Sequence, residues 1–259
     1  MKEYFQKLYR GSRQQFFHEV SDCLEQEEKM FIVTANPETL MIGYEDAEFH
    51  SLLKKESTII VPDGIGVVKA ANALGIPMKE RITGVELVTF MFKEADRMHK
   101  KVFLYGSKEK VIQTLVEKLE REYPNLDILG YHDGYSGDGR IIIQSAISQG
   151  ADIILVALGI PKQEILIDRY FSDAPKGIFI GVGGSFDVLS GVKKRAPHFF
   201  IEHNLEWFYR IFREPKRIKR FYKSNVKFMW KVHQMKERGF SCEKYNQSND
   251  NIRDTARNH

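Results

Sequence analysis

Five short polar or glycine-rich segments carry the residue types that could do chemistry. In Val61-Pro-Asp-Gly-Ile-Gly66, the carboxylate of Asp63 sits just past an apolar run, in a turn made permissive by two glycines. A carboxylate there can act as a general base that takes a hydroxyl proton; a plain turn or N-cap aspartate is the competing reading. Thr34-Ala-Asn-Pro-Glu38 offers the hydroxyl of Thr34 and the amide of Asn36 after another apolar run. Pro37 suits the first turn of a helix, so Asn36 is equally a candidate cap. In Glu80-Arg-Ile-Thr-Gly84, Arg81 can grip a phosphate through two parallel hydrogen bonds, or be a solvated surface arginine. Leu158-Gly-Ile-Pro-Lys-Gln-Glu164 is a glycine–proline turn expected to expose backbone N–H groups and the side chains of Lys162, Gln163 and Glu164. Such hydrogen-bonders suit sugar hydroxyls or a pyrophosphate, with a simple strand-to-helix turn as the alternative. In Gly181-Val-Gly-Gly-Ser-Phe-Asp187, Gly183 and Gly184 let the backbone approach a phosphate or base, and Asp187 can bind ribose or cap a helix.

Neither glycine segment is a dinucleotide fingerprint. Counting from Gly64 and Gly66, the third glycine falls on Lys69; counting from Gly181, it falls on Phe186. An oxidoreductase reading is therefore disfavoured. Each segment is a weak signal by itself. Together they favour a phosphorylated or nucleotide-bearing ligand over a purely structural protein, without identifying a reaction.

These segments need elements to hold them. Apolar β-branched runs predict strands at Met30–Thr34, Thr58–Val61, Lys101–Tyr105, Asp127–Leu129, Asp152–Ala157 and Gly177–Val182. Helical patterns fit between them at Glu38–Lys55, Gly66–Gly75, Gly84–Lys100, Lys108–Glu122, Ile141–Gln149 and Gln163–Phe171. Strand–helix alternation implies an α/β, Rossmann-like fold, a mostly parallel sheet with helices on both faces. Ligands of such folds bind at the carboxyl ends of the strands, where these segments fall.

The division expected is an α/β domain over 1–195, a basic amphipathic helical appendage over 196–240 and a disordered tail over 241–259. From Trp207 to Lys236 there are ten Lys/Arg and one acidic residue, while the rest of the chain carries a balance of −5. A basic segment on an acidic body points to a polyanionic partner, either anionic lipid or nucleic acid. With Pro215 in the first turn, Ile218, Phe221, Tyr222, Val226, Met229 and Val232 form one apolar stripe opposite the lysines and arginines, with Phe228 and Trp230 near its borders. That is the pattern of a helix lying in an anionic membrane interface; a helix packed on its own domain is the competing reading. No nucleic-acid motif accompanies it, so nucleic acid is not expected as a partner; a non-catalytic nucleotide- or nucleic-acid-binding module is the alternative of another class. No signal peptide or membrane-spanning run is evident and the two cysteines, Cys23 and Cys242, form no metal cluster, so a cytoplasmic location is expected.

With TANPE, VPDGIGVV, ERITGVEL, LGIPKQE, GVGGSFDVLSG, KRAP and LEWFYRIFREPKRIKR in order, the sequence resembles the WecG/TagA/CpsF family of bacterial glycosyltransferases from about Thr34 to Arg220. The resemblance implies inverting transfer of a sugar from a UDP donor to undecaprenyl-diphosphate-linked N-acetylglucosamine, at the inner face of the plasma membrane. In the teichoic-acid branch the sugar is N-acetylmannosamine, joined β(1→4); relatives use N-acetylmannosaminuronic acid or other sugars such as glucose. It implies no cofactor and no metal, and the sequence contains no Asp-x-Asp. Carried onto matching positions, Asp63 is the implied base, Thr34 and Asn36 lie beside it, and Arg81 and Gln163 match residues associated with activity. Arg210, Arg217 and Arg220 match arginines that neutralise diphosphate. Gly183, Gly184 and Asp187 are the choice for nucleotide contacts, with Glu164 beside Gln163. The region before Met30 is shorter and more polar than the strand-rich start the resemblance implies. The amphipathic helix could instead serve a subunit contact in a homo-oligomer, so the sequence leaves the oligomeric state open.

Overall fold

A computed structural model describes residues 1–194, 196, 197, 199, 200, 206, 208, 209 and 218–239. Strands β1 (Lys29–Ala35), β2 (Thr58–Pro62), β3 (Lys101–Gly106), β4 (Asp127–His132), β5 (Ile153–Ala157) and β6 (Gly177–Gly181) form one sheet in the order β2-β1-β6-β5-β3-β4. Every pairing is parallel. The strands read as continuous apolar runs because both faces are covered. Phe31, Val33 and Ala35 of β1 enter one core, while Met30 and Ile32 enter the other. The α/β architecture expected from the alternation is the one observed.

Helices α1 (Lys2–Lys7), α3 (Pro37–Glu45), α4 (Ala47–Lys54), α5 (Ile65–Ala73), α8 (Gly139–Ser148) and α9 (Lys162–Phe171) cover the first face. Helices α2 (Arg13–Glu25), α6 (Gly84–Met98), α7 (Glu109–Glu122) and α10 (Ser185–Leu189) cover the second. A further helix, α11 (Ile218–Glu237), docks on α3 and joins the first core through Phe228 and Val232.

The single helix expected over Glu38–Lys55 is two. Asp46 ends α3 in an extended conformation, and its carboxylate accepts from the Phe49 N–H to cap α4. A helix-period pattern continues across such a break because both halves bury apolar residues on the same sheet. β4 also runs three residues past the expected Leu129, to His132. It lies at the sheet's edge and is only half-buried, so its apolar signal fades while its pairing continues.

The polar N-terminal region is folded into two helices rather than strands. Tyr4, Phe5 and Phe16 are fully buried, and Leu8 bridges Ile60 of β2 in parallel. Each helix is amphipathic, so its average polarity conceals a buried stripe.

The face by which α11 docks also differs from the stripe expected. Phe228 is fully buried against the Phe5 ring, with Val232 and Met235 beside it. Tyr222, Val226, Met229 and Trp230 remain exposed. Phe228 packs on Phe5 of α1 while α11 lies along α3, so this ring is the one covered. Lys227 pairs with Glu45 at 2.7 Å, and Lys231 lies over the Tyr44 ring. The expected tail over 241–259 lies outside the described residues.

Candidate active site

The strand order places four of the five segments side by side. The turns after β2, β1, β6 and β5 lie along consecutive strands, although β1 and β6 are far apart in sequence. Asp63 leaves β2 beside β1, with its N–H donating to Ala35 O at 2.9 Å. Glycines make this approach possible: a Cβ on Gly64 would lie 3.2 Å from the Pro37 ring, and one on Gly66 3.1 Å from it. The fifth segment reaches the same point by a different route. Ile82 N–H donates to Pro62 O at 2.7 Å, which brings the start of α6 against the end of β2.

There the Gly84 N–H donates to Asp63 Oδ1 at 3.2 Å. The carboxylate therefore sits at the N-terminus of a 15-residue helix, where unpaired N–H groups and the helix dipole favour negative charge. Gly84 is also the meeting point of two hydroxyls: a Cβ there would lie 3.6 Å from Ser185 Oγ and 4.0 Å from Thr34 Oγ1. A carboxylate, two hydroxyls and a backbone N–H thus converge from the end of β2, from β1, and from the starts of α10 and α6. Such a set can take a proton from one sugar hydroxyl and orient others.

Asn36 behaves as a cap. Its Oδ1 accepts from the Thr39 N–H at 3.0 Å, and the Thr39 side chain returns to the Asn36 N–H. This holds the Thr34–Pro37 turn that packs on Asp63. Gly183 has a left-handed φ of 45°, and Gly184 precedes α10 as an exposed residue. Asp187 lies on α10 with its carboxylate 3.5 Å from Lys193 Nζ.

Gln163 and Glu164 are not exposed as expected; they are 2% and 1% exposed. The first turn of α9 points inward over β6. Gln163 Oε1 accepts from the Gly159 N–H at 3.0 Å and the Gly183 N–H at 3.1 Å, and its Nε2 donates to Glu164 Oε1 at 2.7 Å. Burial pushes the Glu164 carboxyl up to about 7, against the smaller opposing effect of the Gln163 amide. Its Oε2 is buried without a hydrogen-bond partner. Gly181 leaves room for the pair, since a Cβ there would fall 2.5 Å from Gln163 Nε2.

Arg81 is mostly buried, with Nη2 3.8 Å from Glu206 Oε2. Arg81 also lines a cavity of about 300 Å³ with Arg13, Ile65, Val68, Lys79, Glu80 and Glu86. Arg210 and Arg217 lie outside the described residues; Arg220 is in α11, but its side chain is not described. Among the described residues, no group of three or more His, Cys, Asp or Glu could hold a metal ion. No described helix is long and apolar enough to cross a membrane.

The sequence profile described as "Glycosyl transferase WecG/TagA/CpsF family" matches residues 6–240. The chain belongs to this family. It is accordingly a glycosyltransferase, as the ordered motifs implied. An "N-acetylglucosaminyldiphosphoundecaprenol N-acetyl-beta-D-mannosaminyltransferase" of Bacillus spizizenii (strain ATCC 23059 / NRRL B-14472 / W23) is 40% identical over 203 residues, covering 78% of this chain and 79% of the relative. Proteins of the same name from Bacillus subtilis (strain 168) and Staphylococcus aureus (strain MW2) are 42% and 37% identical, covering 73% and 81% of this chain, and 73% and 82% of their own lengths.

Within this glycosyltransferase, sequence reasoning missed Ser185, beside Gly84, and Glu206, which pairs with Arg81. Ser185 stands among the glycines of Gly181–Asp187, where no local signal distinguishes its hydroxyl from that of a helix-start serine. Glu206 immediately precedes the cation-rich Trp207–Lys236 segment; only its place in LEWFYR marked it.

Proposed function

We propose that the protein transfers N-acetylmannosamine from UDP-N-acetylmannosamine to the C4 hydroxyl of GlcNAc-diphospho-undecaprenol, forming a β(1→4) bond with inversion. This is an early step in building the linkage unit of wall teichoic acid. The observation that carries the mechanism is the Asp63 carboxylate held by the Gly84 N–H beside Thr34 and Ser185. The relatives named for this reaction support the choice of donor and acceptor.

Asp63 takes the proton from the acceptor's C4 hydroxyl as that oxygen attacks the donor's anomeric carbon. The bond from that carbon to the diphosphate breaks, and the negative charge passes to UDP. Thr34 and Ser185 orient sugar hydroxyls around the reacting centre. Arg81, with Arg210, Arg217 and Arg220, neutralises diphosphate charge as it develops, so the reaction needs no metal and no cofactor. The cavity beside Arg81 sets Lys79, Arg81 and an Arg13 paired with Glu80 and Glu86 next to Ile65 and Val68, a polar and apolar mixture that suits the junction of a phosphate head and an isoprenoid chain.

The protein attaches peripherally to the inner face of the plasma membrane. The exposed Tyr222, Val226, Met229 and Trp230 alternate with Lys223 and Lys227 on α11, which supports this reading. With the donor in water and the acceptor in the bilayer, the site works at the interface.

The test is Asp63→Asn, supplied with GlcNAc-diphospho-lipid and a panel of UDP-sugars. The asparagine keeps an oxygen for the Gly84 N–H, so UDP binding is retained, while turnover falls by about 10²–10⁴. Undiminished turnover removes Asp63 from the base role. Consumption of a different UDP-sugar by the unaltered enzyme overturns the donor.

A further inference from the structure

The turns after β5 and β6 are joined by a side-chain connection whose polarity is fixed. Gln163 Oε1 is the acceptor for two backbone N–H groups, one in each turn: Gly159 at 3.0 Å and Gly183 at 3.1 Å. A carboxamide serves this purpose only with its oxygen facing the two donors. If it flips, its NH2 group faces two N–H groups and both bonds are lost. The local feature that opposes the flip is Glu164, whose Oε1 accepts from Gln163 Nε2 at 2.7 Å. Both side chains are almost wholly buried, so water is poorly placed to replace a lost partner. Gly181 lies directly beneath the pair, where a Cβ would come 2.5 Å from Gln163 Nε2 and 2.7 Å from Glu164 Oε1.

The connection leads to the reacting centre. Gly183 begins the turn that leads to Ser185, and the Ser185 hydroxyl lies by Gly84, whose N–H holds Asp63. The Gly183 N–H, once a candidate phosphate donor, is engaged by Gln163 instead.

We propose that Gln163 and Glu164 are a buried positioning pair: Glu164 sets the direction of the Gln163 carboxamide, which locks the Gly159 and Gly183 turns into one cradle for the donor's nucleoside diphosphate. Neither side chain touches substrate. The ligand in this statement rests on the donor reading above; the pair itself rests on the hydrogen bonds.

The pair can be exchanged. Gln163→Glu keeps an acceptor for both glycine N–H groups but replaces the amide donor with a second acid against Glu164, and at about pH 9, where all three proteins are compared, the two carboxylates repel. Adding Glu164→Gln restores a donor, now running in the opposite direction. UDP affinity is measured by titration calorimetry for the wild type, Gln163→Glu and the double variant. Hydrogen exchange at the Gly159 and Gly183 amides reads the same three proteins without ligand. Gln163→Glu is expected to weaken UDP binding about tenfold or more and to speed exchange at both amides, and the double variant to recover most of both losses. A structural role unrelated to the hydrogen-bond direction would not be rescued by the exchange. Wild-type behaviour of Gln163→Glu, or a double variant no better than the single one, overturns the pair. If the wild-type protein binds no UDP, the donor reading fails, and the amide exchange still decides the pair.

Discussion

Raising the pH from about 5 to about 8 is expected to cost the fold about 3 kcal/mol through one side chain, Glu164. The carboxyl is 1% exposed, and burial raises it from 4.5 to about 7. Between those values the unfolded chain has released the proton and the folded protein retains it. The folded state binds more protons, so stability falls as pH rises through this window and levels off above about 7. A displacement of this size, at about 1.36 kcal/mol for each pH unit, gives the magnitude. Little solvent reaches the group, so screening removes little of it.

The assay is urea unfolding of the wild type and Glu164→Gln at several pH values across that range. The variant retains an acceptor for Gln163 Nε2 and does not titrate. Other groups titrate in both proteins and cancel in the comparison. The stability difference should move in favour of the variant by about 3 kcal/mol between the two ends. A difference that stays constant with pH would falsify the claim that Glu164 is buried in its neutral form.

Two other outcomes follow from α11. Phe228→Ala empties a fully buried site against Phe5, a change that costs about 3–5 kcal/mol in well-packed cores. It should remove hydrogen-exchange protection from α11 and α1 while the strands keep theirs; loss of protection throughout the sheet would contradict local undocking. Replacing the exposed Met229 and Trp230 with serine should lower partition onto anionic vesicles by about 1 kcal/mol for each residue, with UDP affinity unchanged. Equal partition would show that the docked helix does not present this face to a bilayer.

The alternation of apolar runs and helical patterns was enough to recover all six strands and the parallel architecture. Continuous apolar runs have a simple cause, burial on both faces, and that cause is local. Errors arose where local pattern and tertiary contact diverge. The Asp46 break was concealed because α3 and α4 bury the same face. The α11 stripe misled because hydrophobic periodicity records which side chains are apolar, and a single well-fitted ring, Phe228, decided which of them were covered.

For the site, residue types at strand ends were legible in the sequence, because glycine turns, a strand-end carboxylate and strand-end polar groups are written locally. Asp63, Thr34 and Arg81 could be named that way, and ordered motifs identified the glycosyltransferase family. Their arrangement was not legible. Only the strand order set β6 between β1 and β5, which brought Ser185 to Gly84 and Gly183 to Gln163. Burial likewise depends on what packs above a residue. Gln163 and Glu164 looked like exposed sugar-binding groups from their place after β5, and the fold turned them inward over Gly181, where a buried amide and acid hold the turns together.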